Sequence, residues 1–371
     1  MNIIKRTHSI FDEELELKEK LSLINFPIRS GCESSKDNKD DIFVDMNFGM
    51  ADDGIIQLTN LIPLNVLYSD YHNPGSIGKI WKDHHKKFSS FIKQRYYKKI
   101  LEVGGSSGSL VKNFIEEDKN FSWTIIEPSP NKEKIDSRVN FIEGFFETCD
   151  IEKDRFDTVI HSHVFEHVYN PINFLNKIES ILDYGDNHYI SIPNMRHWLH
   201  YGFTNTLFFE HTFYVDEFVL EALLNKAGFV VTNKEVDSHS IFFRAEKSKN
   251  IIKKNIDFSY VEKLFDEYIS GIKSDCRLMK NNIGEEKVFL FGAHIFAQII
   301  LNLGISENQI INILDNDPTK HEKRLYGTNL IVKPVEILRE ISSPKIILRG
   351  GIYTNEIKES ILEVNPTAIF L

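Results

Sequence analysis

The chain has 371 residues, of which 42% are hydrophobic, 26% charged and 12% aromatic. That length allows two or three domains with their own cores, and the ordinary composition excludes collagen-like, largely disordered and disulfide-scaffold classes. With 44 basic against 54 acidic residues the net charge is −10, which argues against a broad nucleic-acid footprint. No apolar run approaches the roughly 18–20 residues of a membrane span. The opening MNIIKRTHSIFDEELELKEK turns charged too soon for a signal peptide. Cys32, Cys149 and Cys276 are far apart, which suits a reducing cytoplasm and leaves no paired-cysteine zinc site.

The first stretch, residues 1–95, mixes short apolar runs with loop signals such as the polar segment from Ser30 to Asp41. It closes on an amphipathic helix, because Trp81, His84, His85, Phe88, Phe91 and Ile92 recur at helical spacing. Residues 96–245 alternate strand and helix. KKILEV, SWTIIE, VNFIEG, FDTVIH and NHYISI read as strands, and Leu110, Val111, Phe114 and Ile115 mark a helix between the first two. Such βα alternation predicts a doubly wound parallel sheet, an α/β fold. Residues 246–283 carry a connecting helix with Phe258, Val261, Phe265, Tyr268 and Ile272 on one side. Residues 284–371, from KVFLFGAH through INILDND and PKIILRG to AIFL, predict a second, smaller βαβ unit.

The sharpest signal is ILEVGGSSGSL, from Ile100 to Leu110, a strand and a Gly/Ser turn that opens a helix. Gly104 and Gly108 let the backbone approach a ligand, and a helix start offers free N–H groups. Glu127 ends the next strand, where a carboxylate can accept from both hydroxyls of a ribose. These residues resemble the class I S-adenosylmethionine-dependent methyltransferases, whose loop reads [E/D]-x-G-x-G-x-G. Glu102, Gly104 and Gly108 match, and Ser106 stands where the middle glycine is usual. The resemblance implies S-adenosylmethionine as cofactor. It places Glu102, Gly104, Gly105, Ser106 and Gly108 around the methionine end, and Glu127 and Pro128 at the ribose. Phe145 and Phe146 become the adenine wall, with His161 nearby.

After the fourth strand, HSHVFEHVYNP places His163 and His167 at i,i+4 with Glu166 between them. That spacing could hold a metal, but packing is the expected role for Glu166, and His163 is the residue expected to function. Further on, SIPNMRHWLHYGFTNTLFFEHTFY supplies an aromatic, histidine-rich loop. The IPN loop and the EHTFY run resemble the three-domain methyltransferases of nucleotide-activated sugars. That resemblance implies His211 as general base with Glu210 beside it, and Asn194 and Tyr214 at the acceptor. Tyr68, Tyr71 and His72 fall in the stretch that closes over the sugar in that family. A Rossmann-like C-terminal unit also fits it, although Gly292 stands alone in its first turn, and RGGIYT from Arg349 is a place for the nucleotide.

One departure is plain. The sugar C-methyltransferases of this architecture carry four zinc-binding cysteines near the N-terminus, and only Cys32 is here. The N-terminal part must fold instead around IFVDMNFG and IIQLTNL. The expected activity is therefore O-methylation of a nucleotide-linked sugar destined for surface polysaccharide, with C-methylation of a keto sugar as the alternative. A protein that binds cofactor or nucleotide sugar without turnover is the reading from another class. Asp315 and Asp317 read as turn residues, and no carboxylate cluster follows the fourth strand, so no metal is expected.

Overall fold

Short β-branched and aromatic runs, each stopped by glycine or polar turn residues, assemble the central sheet. The computed structural model describes residues 1–68, 79–95, 97–115, 120–130, 135–152, 155–250 and 258–371. The sheet's strands are β1 (Lys99–Val103), β2 (Ser122–Glu127), β3 (Val139–Glu143), β4 (Thr158–Ser162), β5 (Asn187–Pro193), β6 (Phe229–Val236) and β7 (Ser240–Lys247). Their order is 3-2-1-4-5-7-6, parallel from β3 to β5, with β7 antiparallel to both neighbours. Strands β1, β2, β4 and β5 are almost wholly buried, as a sheet covered on both faces requires. The strand order reverses between β1 and β4, which opens a crevice at their carboxyl ends. This is the doubly wound, Rossmann-like α/β fold that the sequence predicts.

The helix Lys79–Ile92 lays Phe88, Phe91 and Ile92 against Ile100, Trp123 and Phe242 on one face of the sheet. Leu110, Val111 and Phe114 join the same core. Towards the C-terminus, the helix Ser259–Ile283 buries Val261, Phe265, Tyr268, Ile272 and Cys276, a stripe at helical spacing. It leads to a second parallel sheet: β8 (Val288–Phe291), β9 (Ile310–Leu314), β10 (Val332–Lys333), β11 (Lys345–Ile347) and β12 (Ile369–Phe370), in the order 10-9-8-11-12.

The N-terminal region contributes a three-stranded antiparallel sheet, Lys18–Pro27, Phe43–Met50 and Ile56–Leu58. The middle and last of these are the IFVDMNFG and IIQLTNL runs; the first carries no clean sequence signal. Cys32–Glu33 then pairs with Arg324–Leu325 in a separate two-stranded ribbon, tying this region to the C-terminal part of the chain. The Arg324 guanidinium is buried there and grips Asp41 through two hydrogen bonds of 2.5 and 2.6 Å. No helix among the described residues is long and apolar enough to cross a membrane.

Candidate functional site

The loop after β1 is shaped by its backbone. Gly104 sits at φ +73° and Gly108 at φ +69°, in the left-handed region where a side chain strains the chain. A Cβ on Gly104 would also lie 2.4 Å from Val164 Cγ2. Ser106, which stands at the middle-glycine position of the motif the loop resembles, takes φ +47° itself and so keeps the turn. Its N–H donates to Glu127 Oε2 at 3.0 Å, and Ser129 N–H donates to the other oxygen at 3.2 Å. Glu102 is buried beneath this loop, and Trp123 Nε1–H donates to it at 2.7 Å. Burial pushes the Glu102 carboxyl up to about 7, against that bond. Glu102, Gly104, Gly105, Ser106, Glu127, Pro128, Phe145 and Phe146 all line one large cavity at the strand ends, about 1550 Å³. Phe145 is half-buried on that wall, while Phe146 is packed edge-to-face on Phe174.

The opposite wall is assembled from distant parts of the chain. The segment around Thr212 runs as an extra edge strand: Leu58 N–H donates to Thr212 O, and Tyr214 N–H to Ile56 O. On its other side Thr212 N–H donates to Glu166 O, and its hydroxyl to Val168 O. Arg6 closes the knot, donating to the carbonyls of Thr212 (2.5 Å), Tyr169 (2.7 Å) and Leu58 (3.4 Å). His211 is thereby held on the cavity wall. Its Nδ1 lies 3.2 Å from Thr206 O; a carbonyl only accepts, so Nδ1 carries the hydrogen and Nε2 keeps its lone pair. Burial pushes the ring down to about 3, so it is neutral at ordinary pH. Glu210 beside it is pushed up to about 8 by burial, and its carbonyl accepts from His167 Nδ1–H at 2.9 Å. Tyr68 lines the same cavity.

The histidines of HSHVFEH do not share a helical face. Phe165–His167 is a single 3-10 turn, and His163 has φ +52°. The backbone therefore sends the i,i+4 pair to different partners. His167 joins Glu166 and His211, while His163 joins His84 and His239; in each trio the nearest donor atoms lie within 4.8 Å of one another. Glu166 is fully buried, pushed up to about 7 by that burial, and among the described residues neither of its oxygens has a hydrogen-bond partner. His239 was not singled out from the sequence, since it sits in the turn between β6 and β7 with no periodic signal. Arg6 gave none either.

Three expected site residues are placed elsewhere. His161 is fully buried within the sheet, its Nε2 3.0 Å from His188 Nε2, because its side chain lies on a covered face of β4. Asn194 caps the helix Met195–His200 through His197 N–H and donates to Asp237 O at 2.7 Å. Tyr214 is buried, with its hydroxyl on Asp216 at 3.2 Å. Gly108 shapes the loop without lining the cavity. Tyr71 and His72 lie outside the described residues.

The cavity ends against the second sheet, at Gly292, His294, Asp315, Asn316, Arg349 and Gly350. Here the first loop's geometry recurs: Asp315, at the end of β9, accepts from Ala293 N–H at 2.9 Å just after β8, and from Lys320 at 3.0 Å. Asp315 is thus more than a turn residue, whereas Asp317 does cap the short turn Pro318–Lys320.

Residues 78–234 match the family model described as Methyltransferase domain. No curated protein matches the chain. Among solved structures, the 1,6-didemethyltoxoflavin-N1-methyltransferase of Burkholderia thailandensis, with bound 1,6-didemethyltoxoflavin and S-adenosylhomocysteine, is 16% identical over 46% of this chain and 82% of its own, at a TM-score of 0.38. A SAM-dependent methyltransferase from Thermotoga maritima is 16% identical over 44% of this chain and 89% of its own, at 0.37. The mitomycin 7-O-methyltransferase MmcR is 13% identical over 50% of this chain and 62% of its own, at 0.39.

Proposed function

We propose that this chain, whose residues 78–234 match the methyltransferase-domain family model, is a class I S-adenosylmethionine-dependent enzyme that O-methylates a hydroxyl of a nucleotide-activated sugar. The observation that carries this reading is the single cavity that joins the Gly104–Ser106 loop, the His211 wall and the acid-and-glycine end of the second sheet. Its volume of about 1550 Å³ exceeds the roughly 300–1,000 Å³ of an ordinary ligand pocket. A cofactor and a large two-part acceptor fit such a space better than a cofactor and a small one.

The fit to the cofactor rests on the loop: no Cβ is tolerated at Gly104, and Glu127 stands within reach of the loop's N–H groups with acceptor capacity to spare. When bound, S-adenosylmethionine supplies a sulfonium methyl with a neutral thioether leaving group. Glu127 would take the ribose hydroxyls, and Phe145 and Pro128 would flank the base. The chain's own chemical task is to align the acceptor and remove its proton. His211 is the residue placed for it: Nδ1–H is tied to Thr206, so Nε2 is the atom that would accept the proton. Glu210 stands beside the imidazolium that results. Tyr68 and the loops around Asp315 and Arg349 would hold the sugar and its nucleotide.

Mass spectrometry of reactions with S-adenosylmethionine and a panel of GDP-, UDP-, CDP- and dTDP-sugars, hydroxy and 4-keto, tests this. One methyl gained on a hydroxy sugar supports the proposal. A gain only on a keto sugar, with exchange of its α-proton, replaces it by C-methylation. Tight cofactor binding with no transfer to any sugar would sink both.

A further inference from the structure

The methyl-transfer reading leaves unused a second group of ionisable side chains beside the cavity. His84 comes from the helix Lys79–Ile92, His163 from the end of β4 and His239 from the turn between β6 and β7. Their rings form a near-equilateral triangle with centroid separations of 5.1 Å (His84–His163), 5.3 Å (His163–His239) and 5.6 Å (His84–His239). Trp81 packs on all three at 4.9–5.3 Å. Three different nitrogens point at one spot. His84 Nδ1, His163 Nε2 and His239 Nδ1 lie 3.1, 2.8 and 2.7 Å from the Ser240 hydroxyl oxygen.

We propose that His84, His163 and His239 form a binding site for a divalent transition-metal ion of the zinc class. The triangle has the size such a site demands. With nitrogen about 2.0 Å from a tetrahedral zinc, each imidazole centre is about 3.2 Å from the metal, and two such centres are about 5 Å apart. Imidazole nitrogens suit zinc and its neighbours rather than magnesium or calcium, which prefer oxygen.

The surroundings supply what a metal-bound histidine needs behind it. His163 turns its other nitrogen, Nδ1, towards Glu166 Oε1 at 3.5 Å. That is the carboxylate–histidine–metal arrangement, in which the outer carboxylate fixes the ring and raises its basicity. His84 Nε2 is anchored in turn by the Ser162 hydroxyl at 2.9 Å. Glu166 is fully buried and, among the described residues, neither oxygen has a hydrogen-bond partner, an expensive state for a carboxylate unless a cation is close. A divalent ion behind His163 compensates it. Among the three ligands His163 and His239 line the cavity, while Ser240, the point on which the three nitrogens converge, is buried behind it.

The site does not depend on the identity of the methyl acceptor, and its test uses neither cofactor nor sugar. The full chain, stripped with a chelator, is titrated with Zn²⁺ against a chromophoric competitor, and with Co²⁺ while the visible spectrum is followed. One equivalent bound, with the intense visible bands of tetrahedral cobalt, is the expected result. His239→Asn should weaken binding by about 100-fold, and Glu166→Gln by about tenfold or more. Ser240→Ala, which removes the central oxygen and leaves the nitrogens, should retain binding, as should His211→Asn. Thermal unfolding of the metal-free variants checks that they fold, and the cobalt spectrum of the unmutated chain reads the ligand geometry without any substitution. Absence of stoichiometric binding, an octahedral cobalt spectrum, or binding lost with His211→Asn but kept with His239→Asn would each overturn the proposal.

Discussion

The two walls of the cavity are built in opposite ways. The cofactor wall comes from one stretch of chain, β1 to the turn after β3, and its loop is set by backbone: two glycines and a serine at positive φ, and a loop N–H group pointing at a carboxylate. The acceptor wall draws on residues 6, 58, 166–169 and 206–214, and is set by side chains that tie distant carbonyls together. Substitutions on the first wall should therefore act on cofactor affinity, and those on the second on turnover.

The largest separation is expected from His211→Ala. Loss of a general base should lower kcat by roughly 10²–10⁴-fold with the cofactor Kd unchanged. Turnover like that of the unmutated chain would remove His211 from the mechanism. Gly104→Ala should do the reverse. The strained φ and the clash with Val164 should weaken cofactor binding by roughly 10- to 100-fold, measured by calorimetry, while Ser106→Gly leaves it intact. Arg6→Met sharpens the comparison from outside the cavity. Freed from three carbonyls, the strand carrying His211 loses its position, and kcat should drop by about tenfold with cofactor Kd and KM little changed. A parallel fall in cofactor affinity would mean that Arg6 supports the whole fold rather than one wall.

The smallest effect is a pH slope. In the folded chain the Glu102 carboxyl keeps its proton up to about 7, while in the unfolded chain it loses it near 4.5. Between those values the unfolded state binds fewer protons, so stability falls as pH rises and stays lower above 7. The contribution is at most about 3 kcal/mol. Glu102→Gln keeps an acceptor for Trp123 and should remove that slope, raising Tm relative to the unmutated chain at pH 8 but not at pH 4.5. Equal slopes in both would show that Glu102 is not held neutral.

The same contrast explains what could be read from the sequence. Strands β1–β5 and the Gly/Ser loop were legible because each is a local pattern: a β-branched run, a stop, an acid at a fixed spacing. The strand Lys18–Pro27 was not, because it starts on charges, ends on proline and shifts register between Leu23 and Phe26, which breaks the alternation. His161 was misplaced because strand parity, not proximity to a motif, decides which way it points. The histidine trio was invisible for a different reason. Its members are separated by 79 and 76 positions (84 to 163, 163 to 239), so only the folded topology puts them together.

The clasp between Arg324 and Asp41 has a temporal consequence. These residues are 283 positions apart, and at roughly 5–20 residues per second a ribosome needs roughly 15–60 s to make the second after the first. Until then a carboxylate destined for burial has no guanidinium to meet it, and the strand pairing at Cys32–Glu33 has no partner. Residues 32–41 are thus made well before the partners that complete their packing. The cavity, lined by residues from Arg29 to Ser360, closes only when both ends of that span have emerged.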